Sequence, residues 1–380
     1  MNKNKLSDET KTYKLSDETK TTSRGKVLHR VVATTTFTLA NGVTINAGDK
    51  GGWIEKESNL SGNAWVSDEA QVYGDARVTD GAIVAGKARV SGDARVTGKA
   101  EISGDALVTG YAQVDGNAQV SGNAKVDGNA RVAGKARVSG DARVAGSAEI
   151  DGNAMVTDKA WVNGHAQVDG NAKIDGNAMV TDKALVTGHA QVTGNAWVYH
   201  NAQVSNNAKV SDNAKVLGNA QVSGNVRVYD YARVNDDARI IGDAQVSGNA
   251  KVYGDAKVTG KAKVTGKAQV AGKAQVSGYA FVSGDAIVSG EAFVSGEAQV
   301  SDYAFVSGDA IVSGEARVYG NAIISENALV SGTAQVYGDT QIAGDAKVMN
   351  ISDFMTFKNN KSNVLSDGLN DLSSQDDIQI

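Results

Sequence analysis

The sequence predicts an all-β fold: a single-stranded, three-sided parallel β-helix in which three hexads make one coil of about 18 residues. Three observations carry this. An aliphatic residue stands at every sixth position from Ile54 to Val348, and the 50 positions are filled only by Val, Ile or Leu. A small residue follows four positions later; of the 48 such positions from 64 to 346, only Val226 and Thr340 are not Ala. The register carries no insertion or deletion over that whole stretch.

The hexad, as in Val120 to Lys125, explains the coil. Ala-x-Val-x alternates small, outward, aliphatic and outward residues, which describes a short strand with one buried face. Gly followed by Asn, Asp or Lys comes next. Gly accepts φ > 0 freely and Asn or Asp tolerates it, so the chain bends there. A bend in every hexad leaves no room for hairpins. Three strands per turn, each stacking on its equivalent one coil later, put every Val in an inward column and every Ala at a narrow corner. About 16 coils at about 4.8 Å each predict a stack roughly 75–80 Å long. Val226 puts two extra methyl groups at a corner, so overpacking is expected there, with Val226→Ala neutral or slightly stabilising.

Taken in order, the chain divides into a mobile lead-in (1–26), a small β cap (27–53), the β-helix (54–348), a C-terminal cap (349–361) and a disordered tail (362–380). The lead-in is polar and contains a duplication: Lys5 to Thr12 recurs as Lys14 to Thr21. Val27 to Leu39 is rich in β-branched residues, and Ala40-Asn41-Gly42 before Val43-Thr44-Ile45 is a hairpin turn signal. Terminal units of a solenoid must be atypical, because an open end exposes strand edges. Beyond Val348, the cluster Ile351, Phe354, Met355 and Phe357 is expected to fold over the last coil, whereas residues 362–380 are polar and acidic. The absence of Pro fits a hydrogen-bonded stack, and the absence of Cys excludes disulfides, thiolate zinc sites and thiol nucleophiles. Met1 to Lys26 holds no apolar stretch, so no signal peptide is expected, and no run has membrane-spanning length. A cytoplasmic location is the default expectation, and a virion component would look the same.

The repeat resembles that of left-handed hexapeptide β-helix proteins, and the left hand is implied by that resemblance alone. The head adds to it. Tyr13-x-Leu15-Ser16-Asp17-Glu18-Thr19, Leu28-His29-Arg30-Val31-x-Ala33, Gly48-x-x-Gly51-Gly52-Trp53-Ile54-Glu55, Asn59-Leu60-Ser61 and Ala64-Trp65-Val66 follow one order. This order is similar to the head of hexapeptide-repeat proteins of bacteria and prophages, some labelled acyltransferases by analogy. The resemblance covers roughly residues 13–350. It implies a fold and a bacterial or phage setting.

The residue between Ala and Val faces outward, in columns that recur at every third hexad. One column reads Trp161, Met179, Trp197, then Lys215, Arg233, Lys251, and later Ile287, Phe305, Ile323. A neighbouring column reads Phe293, Ile311, Leu329, and Phe281 begins a third. These seven C-terminal residues, Phe281, Ile287, Phe293, Phe305, Ile311, Ile323 and Leu329, form the candidate interaction surface, for a second copy or a protein partner. Tolerated β-formers on a strand surface are the plainer reading, and a ligand-stacking groove is a third. Charge is segregated: residues 205–275 hold 11 Lys+Arg and 6 Asp, whereas 276–349 hold 2 Lys+Arg and 9 Asp+Glu. The basic band lacks interleaved aromatics and any nucleic-acid motif, so it reads as a solvated face.

Two functional classes follow. The first is a structural or interaction protein, a solenoid presenting surfaces. The second, by analogy, is a hexapeptide acyltransferase acting on an acyl-CoA, which uses a His base in a cleft between rods and a loop over the acyl carrier. Here His165, His189 and His200 lie at bends. His165 and His189 are separated by four hexads, not by a multiple of three, and so lie on different corners. No loop interrupts the register to form a pocket. His29 reads as structural. No catalytic residue, cofactor or metal site is assigned: bend aspartates such as Asp75 and Asp93 are too few for a calcium ladder, ranked Thr-x-Thr is absent, and no phosphate loop, serine triad or paired-carboxylate site appears.

Overall fold

The computed structural model describes residues 11–355. The chain is an all-β parallel solenoid of about 16 turns, its two-residue strands pairing with their equivalents in the neighbouring coils. It divides into two compact units, Met1–Asp212 and Asn213–Ile380.

In the first unit, five strands precede the regular coils: β1 (Tyr13–Thr21), β2 (Val27–Ala33), β3 (Phe37–Thr38), β4 (Thr44–Ile45) and β5 (Lys50–Ile54). β1 pairs antiparallel with β2, and β2 with β5. β5 then pairs in parallel with Gln71–Val72, so the cap continues one face of the solenoid. β3 and β4 form the hairpin expected around Asn41-Gly42, where Gly42 has φ 87°. Phe37 meets the buried Trp65 edge-on, with ring centroids 5.6 Å apart.

The lead-in expectation is corrected for Tyr13 to Thr21, which is a strand of the cap. Tyr13 anchors it: the ring is buried and its hydroxyl donates to the carbonyls of Glu57 (2.8 Å) and Leu60 (2.5 Å). Burial pushes this phenol up to about 12, with the Glu57 charge adding to the effect. Across the outer side of the cap, Lys20 and Arg30 both lie over the Trp53 ring and both reach the Glu69 carboxylate. The Gly51-Gly52 pair has a packing reason. A Cβ at Gly52 would stand 2.6 Å from Val66 Cγ1 and 2.7 Å from the Ala70 carbonyl, so β5 can close on the first coil only with glycine there.

The second unit repeats the same coil. Its inward Val and Ile residues are fully buried, as are its corner Ala residues up to Ala334; Thr340 and Ala346, near the end, are partly open. Residues 351–355 are helical, and Phe354 packs against Tyr337, whose ring stacks on Tyr319. Among the described residues of the apolar cluster expected to cap the last coil, Phe354 is buried, whereas Ile351 and Met355 are exposed. Phe357, the rest of the 349–361 cap, the 362–380 tail and residues 5–10 of the duplication lie outside the described residues.

The bends follow one rule in both units. The second residue after each Val takes φ > 0 and is usually Gly. Where it is acidic, its carboxylate accepts the amide of the equivalent residue one coil on: Asp80 from Gly98, Asp182 from His200, Asp236 from Gly254, Glu326 from Gly344. The charge-assisted bond offsets the strain of a non-glycine residue in this conformation. The next bend position builds side-chain ladders, such as Asn123 to Asp141 and Asn225 to Asp243.

Val226 is fully buried, and the backbone beside it is reshaped. Gly224 and Gly242 have φ of 96° and 88°, whereas the other bend glycines of this unit lie between 61° and 71°. The strand pairing extends through Ser223–Ile241 and Gly224–Gly242. The backbone beside the corner has adjusted to its valine, so Val226→Ala should cost about 1–2 kcal/mol in urea denaturation by removing two buried methyl groups, where the sequence alone predicts a neutral or slightly stabilising change. Gly224→Ala should cost more, since its Cβ would stand 2.5 Å from the Gly242 carbonyl oxygen at φ 96°. An unchanged or increased stability in Val226→Ala would restore the overpacked reading.

Candidate interaction surface

All seven surface residues lie in the second unit. Ile287 pairs with Phe305 and Phe305 with Ile323 on one face. Phe293 pairs with Ile311 and Ile311 with Leu329 on the next. Phe281 stands on the third face between Lys263 and Gln299, outside both ladders. The columns read from the sequence are therefore real neighbours, three rungs long. They are less open than expected: Ile311 is 39 % exposed, and the other six are half-buried. Side chains stacked at about 4.8 Å cover one another, so a ladder shields part of its own apolar area.

The surroundings are acidic. Residues 276–316 hold six Asp and Glu and no Lys or Arg. The bend column between the two ladders carries Glu291, Asp309 and Asn327, and the bend on the other side of the first ladder carries Asp285, Tyr303 and Asn321. Tyr303, just before Phe305 in the chain, is 68 % exposed. Lys273 pairs with Glu291 at 2.8 Å and holds that carboxylate below its usual range, mainly through the hydrogen bond. The arrangement is an apolar stripe with carboxylate margins.

The first unit holds the histidines. His165 and His200 lie on one edge, two coils apart, with Asp182 and Lys183 in the coil between them. This shared edge was hidden from a count of residue spacings, because His200 sits at the φ > 0 position and His165 at the one after it. An open depression of about 480 Å³ there is lined by His165, Gln167, Lys183, Leu185, Asn201 and Gln203. His200 Nε2 stands 3.9 Å from the Asp182 carboxylate, beyond hydrogen-bond reach. His189 is on a different edge, 3.2 Å from the Asn171 amide. His29 sits in β2, with Nδ1 3.3 Å from the Ser16 carbonyl oxygen, inside the cap.

One carboxylate pair was not legible from spacing. Asp158 and Asp175 meet across adjacent coils, and the Gly176 amide donates to both. Asp158 is raised by its hydrogen bond with Asp175 and by that residue's charge. Asp175 is lowered to about 2 by the Asp158 hydrogen bond, the Lys173 ammonium and the Gly176 amide. The pair closes a bend, with its second carboxylate pinned by Lys173 at 2.6 Å. Among the described residues, no group of three or more His, Cys, Asp or Glu side chains is placed to hold a metal ion.

Comparison with known proteins finds similarity in the repeat. The family model described as the YdcK β-solenoid repeat matches residues 70–86, 136–149, 220–236 and 316–332. The chain resembles hexapeptide-repeat-like β-helix proteins. A crystal structure of a "putative acetyltransferase" from Desulfovibrio desulfuricans G20 is similar at 10 % identity, covering 77 % of this chain and 69 % of that one with a TM-score of 0.18. A likeness that distant carries no argument about activity. No curated protein matches the chain.

Acetyl-CoA titrated into the protein by calorimetry should give no saturable heat, since the depression is open and no loop closes over it. Saturable binding that disappears in a His165→Ala, His189→Ala, His200→Ala variant would assign an acyl-CoA site to these edges.

Proposed function

We propose that this protein is a structural or interaction protein, a β-solenoid scaffold whose C-terminal coils present a surface to a second copy or to a protein partner. The observation that carries this reading is the pair of ladders, Ile287-Phe305-Ile323 and Phe293-Ile311-Leu329, on two faces that meet at one acidic edge. Contiguous apolar side chains call for an explanation that scattered ones do not, and the Trp161-Met179-Trp197 column of the first unit is a second ladder of this kind. A patch of this length covers on the order of a few hundred Å², which suits modest affinity or repeated contacts along an assembly. The resemblance of the head to bacterial and prophage proteins adds a bacterial or phage setting, a left-handed coil, and the host cytoplasm or the virion as the location.

Sedimentation of the wild type beside a Phe293→Ser, Phe305→Ser, Ile311→Ser variant tests it. The wild type should associate at high concentration and the variant should remain monomeric. Raising the salt should strengthen self-association, because the carboxylate margins repel one another, whereas a basic partner would be released by salt. Two monomers at every salt concentration would end the self-association reading and assign the surface to an external partner.

A further inference from the structure

We propose that two copies of this chain pair through the face that carries Ile287, Phe305 and Ile323, in antiparallel order about a two-fold axis at Phe305. This pairing rests on the self-association reading above and gives it a geometry. Five successive rungs of the face read the same in both directions: Gln269, Ile287, Phe305, Ile323, Gln341, each paired in register with the next. An antiparallel partner therefore sets Phe305 on Phe305, Ile287 on Ile323 and Gln269 on Gln341. Gln269 accepts the Tyr253 hydroxyl at 3.2 Å through its carbonyl oxygen, and its NH2 remains a donor. The neighbouring ladder, Phe293-Ile311-Leu329, runs from Gln275 to Lys347 and has no such symmetry.

Both margins of the face are self-complementary in the same order. The bend column on one side reads Lys267, Asp285, Tyr303, Asn321, Asp339, and on the other Lys273, Glu291, Asp309, Asn327, Asp345. Within one chain these columns are already bonded at their ends. Lys267 stands 3.7 Å from Asp285 and Lys273 pairs with Glu291 at 2.8 Å, while Asn321 donates to Asp339 at 2.8 Å and Asn327 to Asp345 at 3.1 Å. A two-fold axis running across the face sets each margin against its own copy. Lys267 then lies opposite the partner's Asp339 and Asp285 opposite the partner's Asn321. On the other margin Lys273 lies opposite the partner's Asp345 and Glu291 opposite the partner's Asn327. Each lysine keeps the carboxylate of its own chain and gains a second. In parallel order the margins would exchange, with Lys267 facing Lys273 and Asp285 facing Glu291. Charge complementarity therefore selects the antiparallel order. At the axis Tyr303, 68 % exposed, meets its own copy; so does Asp309, which opposes the pairing. With five carboxylates against two lysines the two columns of each copy stay net negative, so salt favours the pair. Five rungs span about 19 Å, which places the contact at the lower end of specific interfaces.

Because the chain has no cysteine, a single nitroxide at Lys263→Cys, Gln299→Cys or Gln335→Cys reports the order of the pair. These sites stand in one outward column of another face, each two coils from the next, with Gln299 in the coil of Phe305. In the antiparallel pair each coil away from Phe305 adds about 9.6 Å of axial separation between the two labels. At concentrations where sedimentation shows the dimer, the distance between copies should be shortest for Gln299→Cys and longer for both Lys263→Cys and Gln335→Cys. Asp309→Asn should tighten association at least threefold. Equal distances at the three sites, a minimum elsewhere, or an Asp309→Asn variant no tighter than the wild type overturns the antiparallel pairing while self-association stands. A chain that stays monomeric at every concentration overturns both.

Discussion

Everything in this chain depends on the hydrogen bonds between successive coils. A two-residue strand has almost no stability of its own, and it exists here because its amides donate to the coil that follows. Gln119 to Ala136, Ser121 to Val138 and Asn123 to Gly140 are one such set, at 2.8–2.9 Å, and the same offset recurs along the stack. The bond in the bend, from Asn123, is as regular as those in the strands. Bends must therefore stack as closely as strands, which demands φ > 0 at the second bend position and a flat backbone above and below it. Glycine meets both conditions. Aspartate meets the first at a cost and offsets it by accepting an amide from the next coil. The inward Val columns and corner Ala residues then fill a core whose dimensions the backbone has already set.

This explains which features were legible in advance. The hexad period of Val and Ala reports the constraint directly, so the fold, the coil length and the outward columns could be read from residue order. Features that arise between coils were harder to see. The Asp158–Asp175 contact joins positions one residue short of a full coil apart, and the shared edge of His165 and His200 becomes visible only when positions are placed on the coil. At Val226 the residue order shows only the larger side chain, whereas the φ angles of two stacked glycines, Gly224 and Gly242, depart together from those of the other bends. β1 was missed because its sequence is polar and charged; as the outermost strand of the cap it needs only one buried anchor, Tyr13. Charges on such a strand also blunt an edge that would otherwise invite pairing.

The candidate surface shows the same division. The columns of Ile287, Phe305 and Ile323 and of Phe293, Ile311 and Leu329 followed from the period, but their mutual shielding and carboxylate margins required the stacked geometry. A solenoid makes such surfaces at little structural cost. Outward positions do not enter the core, so they can be rewritten one column at a time while the ladder beneath stays intact. Charge, apolar stripes and aromatic residues can therefore be segregated along one scaffold.

The central claim is that each coil of three hexads advances the second unit by one strand spacing. Nitroxide labels on the outward column Arg227, Gln245, Lys263 through Gln335 measure this by dipolar spectroscopy, since every intervening rung is paired in register. The distances from Gln335 to Lys263, Gln245 and Arg227 should be about 19, 24 and 29 Å, rising by about 4.8 Å per coil. Distances that fail to rise in equal steps, or that split into two populations, would contradict the in-register stack.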